Sequence, residues 1–309
     1  MLLQYLISAF FLIYTLLQFQ VIYIISGENI LTRKLLKLEL SIYKLFGKTV
    51  VMHFVGADIR NSEVLRAKNK QLLESEGQLL AIEEQTDFQR KLCAYAERYA
   101  DHILVVSPDL IRFFKREVSY VPVFINIEKF EKEISDLSAD QSAKVKSQKV
   151  ILHAPSNPEL KGSAYIEKVL KELKEEEGIE YILTTDKKYR TNINPPYTVT
   201  KYDLFRLYPQ ADLVIDQLLI GWYGMQSLEA LLAGKEVLCL IQDDLQLYWD
   251  ENCPIHKISD AKALKESLKS ILSSTGSSQE AARIRSWIQE KHTIEKNQEI
   301  NHLFKIILN

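Results

Sequence analysis

Cysteine is scarce in this chain, and the little there is excludes two kinds of chemistry. Cys93, Cys239 and Cys253 are the only three in 309 residues. They are odd in number and lack metal-ligand spacing, so neither a disulfide framework nor a zinc site is expected, and a reducing compartment is. Cys239 lies in an apolar run and reads as a small core residue. His102, His256, His292 and His302 show no ligand spacing, no Asp-x-Asp pair occurs, and no metal is expected. An excess of one charge is missing as well. Lys+Arg number 39 and Asp+Glu 41, giving a formal net charge of −2, which offers no global basic field to nucleic acid. Internal repeats and low-complexity tracts are absent.

Charge is missing altogether from Met1 to Gly27. Without a basic n-region or a convincing small-residue cleavage site, this stretch is not expected to be a secretory leader. Two readings remain open. One is a membrane-spanning or interfacial helix; the other breaks at Gln18 to Gln20 into a buried helix from about Leu2 to Leu17 and a strand Val21 to Ile25 ending at Ser26-Gly27. The cluster Arg33, Lys34, Lys37, Lys44 and Lys48 would hold an inserted chain on the cytoplasmic side, or form the solvated face of a helix from about Asn29 to Phe46.

What the chain does have is enough apolar material for two cores, at 47% hydrophobic and 26% charged residues. Helical periodicity marks Glu63 to Glu76 and Asp87 to Ala100, followed by a strand Ile103 to Val106. The charged stretch Glu131 to Gln148 shows no wide apolar face and reads as an interdomain linker or a loosely packed helix. Beyond it come strand Val150 to His153, helix Ser163 to Glu177 stopped by Gly178, and strand Tyr181 to Thr184. A loop at Pro195-Pro196-Tyr197, a helix Tyr202 to Tyr208 and a strand running into Asp216 follow. Helices are expected over Asp260 to Ser273, Ser278 to Gln289 and His292 to Leu308. Alternating strands and helices predict α/β domains with doubly wound parallel sheets: residues 1–140, residues 148–290, and a C-terminal helix within 291–309 crossing back to the first domain through Ile300, Leu303, Phe304, Ile306 and Ile307.

The most informative segment runs from Ala211 to Ile241. An apolar strand leads through Asp216 and Gln217 into the loop Gly221-Trp222-Tyr223-Gly224, a short helix carrying Glu229 opens, Gly234 ends it, and a strand Val237 to Ile241 begins. Glycine lets backbone approach a ligand or take positive φ, and amides at the start of a helix can meet an anion. The carboxyl ends of such strands form the usual ligand crevice. An ordinary strand, turn and helix with a solvated glutamate is the alternative.

Tyr223-Gly224 followed by Glu229-Ala230-Leu231-Leu232-Ala233-Gly234-Lys235-Glu236-Val237 resembles the nucleotide-sugar signature of the retaining glycosyltransferases of family 4. Val50 to Arg60, Ala100 to Pro108, Val121 to Phe130 and Val150 to Gly162 resemble further motifs of that family in the same order, so the resemblance spans roughly residues 20 to 309. It implies a GT-B fold, with two Rossmann-like doubly wound domains facing a cleft; the family's opening strand and glycine-rich loop have no counterpart from Met1 on, so either the first domain is shortened or the true start lies upstream.

The same resemblance implies roles. Glu229 would hold the nucleotide ribose, and Lys161, after the Pro-Ser-Asn-Pro loop, would meet the diphosphate as a point charge. Asp216, Tyr223, Gly224 and Met225 complete the donor set. The alternative for Trp222 and Tyr223 is packing at the loop base, and for Asp216 and Gln217 hydrogen bonds to loop backbone. Catalytic candidates are Asp58, Lys161 and His53. Asp58 and Arg60 either orient an acceptor hydroxyl or belong to a helix cap. His53 and His153 each also read as core histidines. The family's first motif glutamate falls on Gly221, its phosphate-site arginine on Pro155 or Ser156, and its loop histidine on Val55. The implied activity is transfer from a nucleoside-diphosphate sugar, the donor substrate, to a glycan or lipid-linked saccharide in polysaccharide biosynthesis, without a further cofactor, in the cytoplasm and against the inner face of the plasma membrane. A catalytically degenerate GT-B accessory subunit is the alternative from another class, and a sugar-nucleotide epimerase lacks its usual acidic and histidine pairs here.

Overall fold

A computed structural model of the chain describes residues 2–60, 65, 67, 69–70, 86–138, 148–185, 199–258, 261–273 and 278–308. Its contacts fall into two compact units. The first comprises Met1–Val64, Ile82–Pro122 and Gln298–Asn309, the second Leu65–Ala81 and Val123–Asn297.

In the first unit, α1 (Leu2–Gln18) and β1 (Val21–Ile25) are followed by α2 (Leu36–Leu45), β2 (Thr49–Phe54), α3 (Thr86–Tyr99), β3 (His102–Val105) and the short β4 (Ser119–Tyr120). The strands form one parallel sheet in the order β1-β2-β3-β4. Alternation sends Val50, Met52 and Phe54 of β2 into a core with Leu36 and Leu40 of α2 and Leu92 and Ala96 of α3. The uncharged N-terminal run is thus a helix and then a strand. Leu12 anchors α1 in this core, while Leu6, Phe10, Ile13 and Leu17 stay exposed, Leu17 by 75%. Among the described residues no helix is long and apolar enough to cross a membrane.

The helix expected from Asn29 begins at Leu36, after a 3-10 turn Arg33–Leu35. The cause is Glu39, whose buried carboxylate accepts the amides of Ile30 (3.0 Å) and Leu31 (2.7 Å), the Asn29 side chain (2.9 Å) and the Tyr43 hydroxyl (2.9 Å). Those bonds hold Asn29 to Leu31 as a loop.

In the second unit, α4 (Ile127–Ser138), β5 (Val150–His153), the single turn α5 (Pro158–Lys161), α6 (Ser163–Glu177) and β6 (Glu180–Leu183) come first. Then follow α7 (Lys201–Leu207), β7 (Leu213–Ile215), α8 (Met225–Leu232), β8 (Glu236–Leu240), β9 (His256–Ile258), α9 (Leu264–Ser273) and α10 (Ser278–His292). The sheet is parallel throughout, in the order β6-β5-β7-β8-β9. Both faces are covered. Ile151, Leu213, Ile215, Leu238 and Leu240 pack with α6 and α9, and Leu152, Val214, Val237 and Cys239 pack with α4, α8 and α10. Burial on both faces explains why these strands read as unbroken apolar runs.

One register device occurs in both units. Asp101 precedes β3 and accepts the amide of Val50 at 2.7 Å, while its own amide donates to the Val50 carbonyl at 2.8 Å. Asp212 precedes β7 and does the same with Val150 at 2.7 and 2.8 Å. Each Ala-Asp pair therefore pins the start of its strand to a neighbour.

Two further expectations need correction. Glu131 to Ser138 is part of α4, which buries Phe130 and packs Ile134 and Leu137 on the core; that stripe is narrow but sufficient, and residues 139–147 lie outside those described. His292 ends α10, and turns up to Asn297 separate it from the C-terminal helix Gln298–Leu308, because the His292 carbonyl is taken by the Ile125 amide at 2.9 Å. β4 and β9 were not anticipated, being two and three residues long. The expected helix over Glu63 to Glu76 lies mostly, and the Pro195-Pro196-Tyr197 loop wholly, outside the described residues.

Arg60 is buried against Asp109, its Nε and Nη2 donating to the two carboxylate oxygens at 2.8 and 3.1 Å. Ser107 also donates to Asp109, and Gln89 donates to the carbonyls of Ala57 (3.0 Å) and Arg60 (2.9 Å). Arg60→Ala leaves a buried carboxylate unpaired and is expected to cost about 3–5 kcal/mol of stability, whereas Arg60→Met with Asp109→Leu recovers most of it. Urea denaturation of both variants checks this; equal losses would contradict it.

Candidate functional site in the second unit

The carboxyl ends of β5 and β7 carry the functional side chains. After β5, Asn157 caps α5 by accepting the Leu160 amide at 3.0 Å, with Pro158 preset at the first helical position. Gly162 then adopts φ 73°, so Lys161 ends the turn and α6 begins at once. Lys161 donates to Asp216 Oδ1 at 2.5 Å and to Gln226 Oε1 at 3.2 Å. Asp216 Oδ2 accepts the Gly224 amide at 3.0 Å and the Ser227 hydroxyl at 2.7 Å. Asp216 is 1% exposed. Burial would push its pKa up, but Lys161, Ser227 and the Gly224 amide outweigh it and hold the carboxyl below its usual range. Lys161→Ala would therefore strand a buried charge as well as remove a cation.

Gln217 organises the loop that follows. Its Oε1 accepts the amides of Ile220 (2.7 Å) and Gly221 (3.2 Å), and its Nε2 donates to the carbonyls of Trp222 (3.1 Å) and Leu240 (2.8 Å). Gly221 sits at φ 89°, and a Cβ there would come within 2.5 Å of Gln242 side-chain carbons. A glutamate at this position needs both a strained backbone and a displaced Gln242, so restoring the family residue costs stability before it can add chemistry.

Trp222 and Tyr223 are buried and stacked, with ring centroids 5.1 Å apart, against Trp249 and Trp287. Tyr223 packs at the loop base, the alternative to a ligand platform. His292 Nδ1 donates to the Val123 carbonyl at 2.8 Å, which leaves Nε2 to accept the Tyr223 hydroxyl at 3.3 Å. Through His292, Tyr223 thus holds the segment that enters α4.

That segment borders a cleft of about 360 Å³, within the range of small-molecule sites. Met225 and Glu229 of α8, Lys201 of α7, and Phe124, Asn126 and Lys129 around the start of α4 line it. Glu229 Oε2 accepts the Tyr208 hydroxyl at 3.1 Å. Burial raises the Glu229 pKa, the Tyr208 bond and Lys201 oppose this, and Glu133 adds to it. Glu133 also lines the cleft and pairs with both cations, Lys201 at 3.3 Å and Lys129 at 3.9 Å; the Glu229 carboxylate, the Asn126 amide and an apolar wall remain, an arrangement suited to a polyhydroxylated ligand with a flat ring.

Of the expected donor residues, Met225 and Glu229 share this cleft, whereas Lys161, Asp216 and Gly224 form the adjoining ionic cluster. Tyr208, Gln226, Ser227 and Lys201 were not anticipated; their sole sequence signal is nearness to the expected strand and helix starts. His153 is a core histidine, donating from Nδ1 to the Ile215 carbonyl (2.9 Å) and accepting the Ser163 hydroxyl at Nε2 (2.8 Å).

The acceptor-side candidates belong to the first unit. Asp58 accepts the amides of Val55 (2.9 Å), Gly56 (2.8 Å) and Ile59 (3.1 Å), a turn cap. His53, in β2, pairs with the Tyr23 hydroxyl at 2.6 Å, and its Nε2 is buried without a hydrogen-bond partner among the described residues. Burial lowers its pKa to about 4, against a smaller opposing effect of Asp58.

His153 and His292 are also lowered to about 4, chiefly by burial. The unfolded chain binds protons near pH 6.5 that the folded one refuses until about pH 4. The stability held by these neutral rings is therefore complete above pH 6.5 and falls as pH drops toward 4. The urea midpoint is expected to be lower at pH 5 than at pH 7.5, and the drop to shrink in His153→Gln and His292→Gln. Equal midpoints at both pH values would contradict neutral burial.

No protein-family model matches the chain, and no curated protein matches it. Solved structures do. HepE from Anabaena, in complex with UDP and glucose, aligns at TM-score 0.56 and 14% identity over 96% of this chain and 80% of its own; it has also been solved with UDP-glucose. Sucrose-phosphate synthase from Thermosynechococcus elongatus aligns at TM-score 0.57 and 13% identity over 98% of this chain and 77% of its own. These likenesses carry the fold: two Rossmann-like units with parallel sheets, as in the GT-B glycosyltransferase structures.

Proposed function

We propose that this chain is a glycosyltransferase that takes its sugar from a nucleoside-diphosphate sugar and holds the nucleotide in the second unit. One observation carries the reading. Glu229, the glutamate of the motif Glu-Ala-Leu-Leu-Ala-Gly, lines a cleft of about 360 Å³ beside Met225 and Asn126, with Tyr208 fixing one of its oxygens. A carboxylate so held can accept both hydroxyls of a ribose. The UDP-glucose bound by HepE makes a uridine-diphosphate sugar the first donor to try. The acceptor is a glycan or lipid-linked saccharide and the transfer retaining, as the family resemblance implies. His53 and Asp58 are kept as acceptor-side candidates on the same ground.

A second reading, a GT-B accessory subunit without turnover, is favoured by two features. Lys161 is already neutralised by Asp216, and a carboxylate side chain at Gly221 would need a strained backbone and a displaced Gln242. Donor hydrolysis and transfer against a panel of nucleotide sugars separate the two. Turnover supports the enzyme, and nucleotide binding without turnover supports the subunit.

The first unit is proposed to lie in the cytoplasm, against the inner face of the plasma membrane, through the exposed apolar residues of α1. Co-sedimentation with anionic vesicles is expected, and its loss in Leu6→Ser/Phe10→Ser/Leu17→Ser; a native chain that stays in the supernatant contradicts the contact.

Glu229→Gln is expected to weaken the best-binding nucleotide about tenfold by calorimetry, the loss of charge-assisted bonds. The thermal midpoint should stay near that of the native chain, because the amide oxygen still accepts the Tyr208 hydroxyl. Unchanged affinity would remove Glu229 from the site.

A further inference from the structure

The ionic cluster beside the cleft has the make-up of an anion site that is already filled. A cation, a backbone amide at a helix start and a hydroxyl converge on one point: Lys161 Nζ, the Gly224 amide opening α8, and Ser227 Oγ. Such sets receive phosphate oxygens elsewhere in protein chemistry. Here all of them end on Asp216, at 2.5, 3.0 and 2.7 Å. The side chains of Lys161 and Asp216 are 13% and 1% exposed, so the carboxylate is part of the interior and not a surface ion pair.

A second observation is a polar atom at the cluster that the described residues leave unsatisfied. Gln226, in the first turn of α8, accepts Lys161 through Oε1 at 3.2 Å. Its Nε2 is buried and has no hydrogen-bond partner among the described residues, in a residue only 9% exposed. A buried donor left unpaired is costly, and a bound acceptor would relieve that cost. The donor still on offer is thus a neutral amide, whereas the full positive charge is spent.

We infer that Asp216 is a specificity-determining residue that stands where the diphosphate of a nucleotide would bind, so that the second unit draws its affinity from the nucleoside and little from the diphosphate. This rests on the nucleotide reading of the cleft. The charge count gives the reason. Lys161 and Asp216 sum to zero, and an incoming diphosphate meets a neutral pair where a free lysine would attract it. To recruit Lys161, the ligand must displace an anion that the chain carries covalently and at no cost in binding entropy.

Calorimetry on the full chain tests this with uridine, cytidine, adenosine, guanosine and thymidine and with their 5′-diphosphates. For the base that binds best, the native chain is expected to hold the diphosphate within about threefold of the nucleoside, and Asp216→Asn to widen the ratio to about tenfold or more. Inorganic pyrophosphate should raise the melting temperature of Asp216→Asn and leave that of the native chain unchanged. A native preference for the diphosphate of about a hundredfold or more would overturn the inference without any variant. So would a folded Asp216→Asn with an unchanged ratio, and in both cases the nucleotide reading stands. If neither nucleosides nor diphosphates bind the native chain, that reading fails and the inference falls with it.

Discussion

The second unit depends on the burial of one carboxylate. Asp216 follows β7 directly, and its two oxygens gather Lys161 from the turn after β5, the amide of Gly224 and the hydroxyl of Ser227 from the start of α8. An ionised group this deep is tolerable only with full compensation, so the three segments are fixed relative to one another by the same requirement. Gln217, the next residue, ties the intervening loop to β8 with four more hydrogen bonds. The start of α8 is rigid for that reason, and Met225 and Glu229 face the cleft from a preorganised helix.

Rigidity on the opposite side of the cleft has another source. The backbone of Val123 and Ile125 is held by His292, against which Tyr223 and Trp287 pack, with Trp249 on Tyr223. The loop aromatic that looks like a ligand platform in the sequence thus acts one step back, on the backbone next to Phe124 and Asn126. Polar and aromatic supports of different origin converge on one cleft, and each is paired internally. Lys161 is the exception in consequence rather than in geometry, because its pairing removes the charge that a phosphate would use.

Much of this was legible along the chain. Apolar runs buried on both faces gave away β5, β7 and β8, and Gly178 announced the end of α6 by local stereochemistry, whereas the single turn Pro158–Lys161 reads in sequence as loop. The βαβ unit around Glu229 was legible because every signal in it lies within about thirty residues. What was not legible is long-range. Nothing near Lys161 reveals that its partner is Asp216, and nothing near Tyr223 reveals Trp287 or His292. The stripe Phe130, Ile134 and Leu137 was hidden by the charges between its members, although its helical spacing was present. Glu39 shows the converse: a buried acid that breaks an expected helix reads in sequence as one more polar residue on its surface.

The central claim is that a nucleotide occupies the cleft lined by Met225 and Glu229. Methionine occurs only at positions 1, 52 and 225, and Met52 is fully buried in the core of the first unit. Methyl-labelled methionine therefore gives a spectrum with a reporter inside the cleft and another in the core of the first unit. Titration with the tightest-binding nucleotide is expected to shift the Met225 methyl resonance and leave that of Met52 in place. A Met225 resonance unmoved at saturation would contradict the account.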